Sequence, residues 1–249
     1  RTEQEFEYLS DSGDWPTHFS DMYSCNWAYV EKEFSTEALV LAGVLNIPVG
    51  LVSSSYGSGL TIYDPLSEGR VIPLKWHETA IAFTGCIRSW EYWIGLLAHI
   101  DTFTPDEENI GLAGRINWRP NDNVRIGVSG FVGKGLSHGI MVQNESEKTW
   151  YNISSIDYDY DRERWISSGS VIYRSEDHDV ALGAELGYRA TKWIIPFVGF
   201  DMVTSSHLQE YEVLTLGVNV MPIKGFTIKT QLEKNRDLWR MDMSLGYTV

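Results

Sequence analysis

Residues 109–135 read NIGLAGRINWRPNDNVRIGVSGFVGKG. Ile110, Leu112, Gly114, Ile116 and Trp118 form one alternating set, and Gly111, Ala113, Arg115, Asn117 and Arg119 the other. After the corner at 120–123 the apolar set resumes at Val124, Ile126, Val128, Gly130 and Val132, interleaved with Arg125, Gly127 and Ser129. Successive strand side chains point to opposite faces, so period two marks a β-ribbon with one apolar and one polar face. The Pro-Asn-Asp-Asn corner makes it a hairpin. The apolar face then has two possible neighbours, a protein core or lipid.

The same alternation recurs to the end of the chain. Val180, Leu182, Ala184, Leu186 and Tyr188 form one apolar set, and Ile194, Pro196, Val198, Phe200 and Met202 the next. Leu214 to Val220, Phe226 to Leu232 and Trp239 to Val249 follow the same rule. Strands are expected over 2–10, 19–33, 36–49, 73–85, 89–101, 108–119, 123–135, 147–160, 163–174, 178–190, 193–204, 210–221, 225–235 and 238–249, about fourteen in all. No helix-period segment of useful length interrupts them, and no linker marks a domain boundary. Residues 1–249 read as one all-β domain.

Short connections at 34–36, 86–88, 120–123, 161–162, 190–192 and 222–225 alternate with long ones at 11–18, 50–72, 102–107 and 136–146. Short periplasmic turns and longer outer loops are the habit of bacterial outer-membrane barrels. An even strand count puts both termini on the periplasmic side, and pairing of the last strand with the first would remove the exposed edges.

The polar faces decide between core and lipid. They carry Glu3, Glu5, Glu7, Arg115, Arg119, Arg125, Glu185, Arg189, Asp201, Lys229, Glu233, Arg240 and Asp242. That many ionisable groups cannot line a dry core without a large desolvation cost, whereas a wet lumen accepts them. The opposite face carries almost none, as lipid contact demands. Strands of about ten to thirteen residues can cross a bilayer at a tilt. Trp76, Trp90, Trp118, Trp150, Trp165, Trp193, Trp239, Tyr188 and Tyr247 sit near strand ends, where an interfacial belt would place them. The expected fold is a transmembrane up-and-down antiparallel β-barrel in the cell outer membrane.

Composition sets further bounds. The 249 residues carry a formal charge of −14, which argues against a nucleic-acid partner. Cys25 and Cys86 could form one bridge but offer no metal-site spacing. The chain opens at Arg1 with neither Met nor an apolar signal region, which reads as a mature or trimmed form.

Residues 47–101 resemble the phosphate-selective porin O/P-like outer-membrane family. Pro48, Val49, Gly50, Leu51 and Val52 lead into a long loop, Ile72 and Pro73 follow, and Trp76 and Glu78 open the next strand. The stretches YEVLTLGVNVMPIKGFTIKTQLEKN and SLGYTV are similar to the family's late hairpin and terminal strand. The resemblance implies porin architecture and a loop that folds inward to narrow the pore. The family's terminal aromatic is replaced by Val249 or lies beyond it, related porins tend to have about sixteen strands, and the acidic chain lacks a ladder of Lys and Arg. Architecture carries over; phosphate selectivity does not.

Motifs suggesting chemistry have plainer readings. SSSYGSG, residues 53–59, lacks both the nucleophile-elbow and the P-loop context, and reads as a flexible outer loop. His77 reads as an interfacial polar residue. Asp157, Asp159 and Asp161 share a strand face without the wrapping of a calcium loop, and read as a solvated patch partnered by Arg162 and Arg164. No catalytic set, metal site or cofactor is expected. The expected function is passive diffusion of small polar solutes or ions, with the lipid bilayer and a homo-oligomer or other outer-membrane proteins as partners. The rival is a non-conducting structural or accessory barrel of an outer-membrane complex. A rim hydrolase using Ser53, Ser54 and Ser55 ranks third.

Overall fold

The computed structural model describes residues 2–6, 23–54, 59–72, 76–99, 109–134, 150–175, 178–205, 210–236 and 238–247. Its strands are β1 (Thr2–Phe6), β2 (Tyr23–Ser35), β3 (Ala38–Asn46), β4 (His77–Ile87) and β5 (Trp90–His99). They continue as β6 (Asn109–Asn121), β7 (Val124–Lys134), β8 (Trp150–Arg162), β9 (Trp165–Arg174) and β10 (Asp179–Tyr188). The last four are β11 (Ile194–Thr204), β12 (Tyr211–Ile223), β13 (Phe226–Asn235) and β14 (Leu238–Tyr247). All fourteen form one sheet in chain order, each paired antiparallel with the next. This is the expected meander. Among the described residues no ladder joins β14 to β1.

Burial is inside out. In β6, Ile110 and Ile116 are each 53% exposed, whereas Ala113 and Arg115 are 1% and 4% exposed. The rule holds along the sheet: Ile81, Ile94, Val128, Ile156, Val171, Leu216 and Met243 are exposed, and Ser129, Ser155, Asp157, Ser170 and Gln231 are buried. A water-soluble sheet buries its apolar set; here the apolar set forms a continuous outer belt, as lipid contact requires. Trp90 stacks on Trp118 at 6.0 Å and Trp165 lies 4.9 Å from Tyr188, all beside the short turns. These amphipathic rings stand where an interface would hold them. Trp76 departs from this belt: it is 3% exposed and packs edge-on against Phe131 at 5.0 Å, inside the fold.

Among the described residues, the inner space is filled mainly by the segment between β3 and β4. A core runs from the inner faces of β4 to β11 (Ala80, Leu97, Ala113, Phe131, Ile153, Ile172, Ala181, Val203) onto Ile47, Val49, Val71, Ile72 and Trp76 of that segment. Ser53 and Leu60 are buried as well. The residues around the serine-rich stretch therefore do not form an outer loop; Ser55 and 56–58 lie outside the described residues. Within the segment is one helix, α1 (Leu66–Val71), absent from the period-two reading. Six residues make less than two turns, too few for a helical period to register. α1 packs on β9, β10 and β11. A Cβ on Gly183 would already stand 3.6 Å from Ser67 Oγ and 3.7 Å from Pro65 Cβ, so the start of the helix lies close against β10 there.

At the end opposite the short turns, the late connections 175–178, 205–210 and 236–237 are also short. The long–short alternation thus belongs to the first half of the chain. Cys86 is a free thiol, so the bridge open to Cys25 and Cys86 is not formed.

Candidate functional site: the lined interior and its strap

The candidate residues meet on the inner face by register. Asn117 lies opposite Gly127, Gly127 opposite Asp157, Asp157 opposite Ser170, Ser170 opposite Gly183 and Gly183 opposite Asp201. A Cβ on Gly127 would collide with the Arg115 guanidinium and lie 2.6 Å from Asp157 Oδ1 and 2.7 Å from Arg125 Nη1. The missing side chain is what lets two arginines converge. Arg115 Nη2 donates to Asp157 Oδ1 at 2.6 Å and Arg125 Nη1 to the same oxygen at 2.5 Å. All three side chains are nearly or fully buried. Asp157 is therefore not solvated, and its partners are not Arg162 and Arg164. Those two sit in the hairpin end, beside Glu163 and Tyr188. Asp161 pairs with Arg189 at 2.7 Å, in a half-exposed bridge near the short turns.

The described parts of the segment between β3 and β4, 47–54 and 59–72, are tied to both halves of the sheet. On one side, Arg115 donates to Gly50 O at 2.8 Å, and Gly50 N donates to Ser129 Oγ at 3.0 Å. On the other, Asn219 donates to Leu60 O at 2.9 Å, and Lys229 donates to Gly59 O at 2.5 Å and Thr61 O at 2.8 Å. Ile62 N donates to Gln231 Oε1 at 2.8 Å, Thr61 hydrogen-bonds Glu185, and Ser67 N donates to Asp201 Oδ2 at 3.0 Å. The stretch from Gly59 to Pro65 is a strap held by β10, β12 and β13, and β11 holds the helix that follows it. Its backbone groups, which would be costly to bury unpaired, take side-chain partners on the wall.

Two cavities flank the strap and share Thr61, Tyr63, Asp64 and Glu185, one of ≈ 260 Å³ and one of ≈ 270 Å³. Asp201, Glu233 and Arg240 complete the first and Lys229 the second. Arg240 bonds Glu233 at 2.7 Å and Asp242 at 2.8 Å, and its guanidinium lies over the Tyr63 ring at 5.0 Å. Arg119 pairs with Glu91 at 2.8 Å near the short turns. Glu3 and Glu5 fall in β1, whose side chains lie outside the described set, as does Glu7 entirely. Sequence reasoning missed Asp64 and Glu68, both in the strap region. Pro65 before the helix, Glu68 in its first turn and Arg70 in its last are the marks that could have found it. Among the described residues no group of His, Cys, Asp and Glu is arranged to hold a metal ion.

No protein-family model matches the sequence, and no curated protein matches it. Solved structures do. OmpT of Vibrio cholerae, expressed in the outer membrane, superposes with a TM-score of 0.57 at 9% identity, covering 91% of this chain and 73% of that one. An in-vitro folded trimer form of the same protein gives 0.56 at 11%, covering 91% and 72%. A mutant of the Rh. blastica porin gives 0.55 at 11%, covering 95% of this chain and 80% of that one. The fold is that of the outer-membrane β-barrels.

Proposed function

We propose that this chain is a porin-like barrel of the outer membrane that passes small polar solutes and ions along the strap, with a preference for cations. The observation that carries the reading is the pairing of an apolar outer belt with an inner space whose two cavities run beside Asp64 and Glu185. Together the cavities are bordered by four carboxylates, Asp64, Glu185, Asp201 and Glu233, against two cations, Lys229 and Arg240. Lumen width and lining charge set what passes through such a pore. The resemblance to the phosphate-selective porins enters as architecture alone, because this lining is acidic. Assembly as a homo-oligomer belongs to the same proposal, supported by the trimer form of one structural neighbour. No catalytic step is assigned to the loop serines.

Reversal potentials across a planar bilayer with a salt gradient test the proposal. A modest cation preference is expected, and a clear anion preference would reject the charge assignment. The second reading, a non-conducting scaffold, is favoured by the ties that hold the strap to β12 and β13 and by the apolar core against 47–72. Repeated absence of openings in verified, folded protein would select it.

A further inference from the structure

The short turns of the late strands run against the charge of the chain. Residues 161–164, 189–193 and 222–225 hold Arg162, Arg164, Arg189, Lys192 and Lys224 against Asp161 and Glu163, a surplus of three cations in a chain of −14. The three earlier turns, 34–37, 87–90 and 119–123, hold Glu37, Arg88, Arg119 and Asp122 and balance. At the opposite end of the late strands, the connections 175–178 and 205–210 carry Glu176, Asp177 and Glu210 in sequence, and no Lys or Arg.

Hydrogen bonds fasten the basic turns into one block. Arg189 N donates to Arg164 O at 2.7 Å, Arg189 Nη1 to Glu163 O at 3.0 Å, and Met221 N to Trp193 O at 2.8 Å. Within the block the cations divide. Arg189 is engaged by Asp161 at 2.7 Å, and Arg162 stands 3.8 Å from Glu163. Arg164 and Lys192 rest on rings instead: Arg164 Nη1 donates to Tyr188 Oη at 2.9 Å, and Lys192 Nζ lies over the Trp193 ring at 4.7 Å. Tyr188 in turn lies 4.9 Å from the half-exposed Trp165. Arg164, Lys192 and Lys224 are all exposed. Such rings stand at headgroup depth, so the cations they carry stand there too. Tyr188 takes one of the five N–H donors of the Arg164 guanidinium and leaves the fork open to a further acceptor.

We propose that this block binds the phosphate of an anionic phospholipid, of the phosphatidylglycerol type, in the leaflet at the short-turn end. A guanidinium takes a phosphate through paired hydrogen bonds and an ammonium takes it as a point charge. The acyl chains lie along the exposed apolar set of the same strands, Leu186, Ile194 and Val198. A surplus of cations on one end also sets which end of the barrel enters the anionic leaflet. The site needs the membrane but not an open lumen, so it stands apart from the pore reading.

Native mass spectrometry tests it on the folded full chain, released from nanodiscs of equal phosphatidylglycerol and phosphatidylcholine, by counting the lipids that stay bound. Retained phosphatidylglycerol should exceed phosphatidylcholine at least about fivefold, the worth of one cation at a membrane surface. The overall charge of −14 alone would give the opposite bias. Ammonium acetate at about 1 M in place of about 0.1 M should bring the ratio towards one, because the Debye length falls from about 10 Å to about 3 Å. Arg164→Gln with Lys192→Gln and Lys224→Gln should bring it near one at low salt. If that triple variant does not reach the heat-modifiable folded form, Lys192→Gln with Lys224→Gln replaces it, and the excess should at least halve. Lys234→Gln removes a lysine that lies 5.7 Å over the Trp239 ring at the opposite end, and should keep the wild-type ratio. Equal retention of the two lipids by the wild type overturns the site. So does an excess that survives the triple variant, or one that Lys234→Gln abolishes.

Discussion

Two aspartates four positions apart on one face of β8 meet different physics. Asp157 is fully buried between Arg115 and Arg125, whereas the Asp161 side chain is 57% exposed beside Arg189. Replacing Asp157 by Asn leaves two buried guanidiniums sharing one neutral acceptor, a loss of about 3–5 kcal/mol for a buried pair broken on one side. Replacing Asp161 by Asn removes an exposed bridge worth about 0–1 kcal/mol. Urea unfolding in lipid vesicles should therefore separate D157N from D161N by several kcal/mol. Equal midpoints would mean that the Asp157 cluster is open to water. Gly127→Ala belongs to the same cluster: its methyl meets the Arg115 guanidinium, and overpacking of that kind costs about 1–3 kcal/mol.

Among the elements, the strands were legible and the strap was not. Period two set the faces of β6 and β7 from Ile110 and Arg115 alone, because each strand repeats the choice at every second residue. The segment 47–72 repeats nothing. Its residues Ile47, Val49, Val71 and Ile72 gain their meaning from Ala80, Phe131, Ile153 and Ala181 on four different strands, contacts that no local pattern encodes. The same blindness put Trp76 in the interfacial belt, since an indole at a strand end suits either place. Of the wall residues that tie the strap, Asn219 and Gln231 read merely as polar and Lys229 as a lumen charge, for want of a visible partner. The two tryptophan environments give a direct comparison. Trp76→Ala should cost about 3–5 kcal/mol, the range for a buried aromatic truncated to a cavity. Trp90→Ala gives up a half-exposed ring stacked on Trp118, about 0.5–1.5 kcal/mol beyond its burial. Tryptophan emission of each variant during unfolding measures both, and a larger loss at Trp90 would contradict the inside-out assignment.

At the scale of the whole molecule, the net charge of −14 and the cavities beside the strap make one electrostatic statement. Their lining has four carboxylates and two cations, a surplus of two negative charges. One unit charge about 6 Å from a permeating ion in water contributes roughly 0.7 kcal/mol, about a threefold bias for cations. Screening limits its reach, since the Debye length shrinks from about 10 Å at 0.1 M salt to about 3 Å at 1 M. Selectivity by lining charge must therefore fade as salt rises, whereas selectivity by width alone would not. Asp64 and Glu185 border both cavities, so Asp64→Asn with Glu185→Gln removes the two charges that the cavities share. That double variant should bring the cation-to-anion permeability ratio close to one at low salt and leave the high-salt ratio nearly unchanged. Asp161→Asn, near the short turns and outside both cavities, is the control and should keep the wild-type ratio. A double variant that retains full cation preference at low salt would move the selecting charges away from the strap, to a part of the interior that these two cavities do not include.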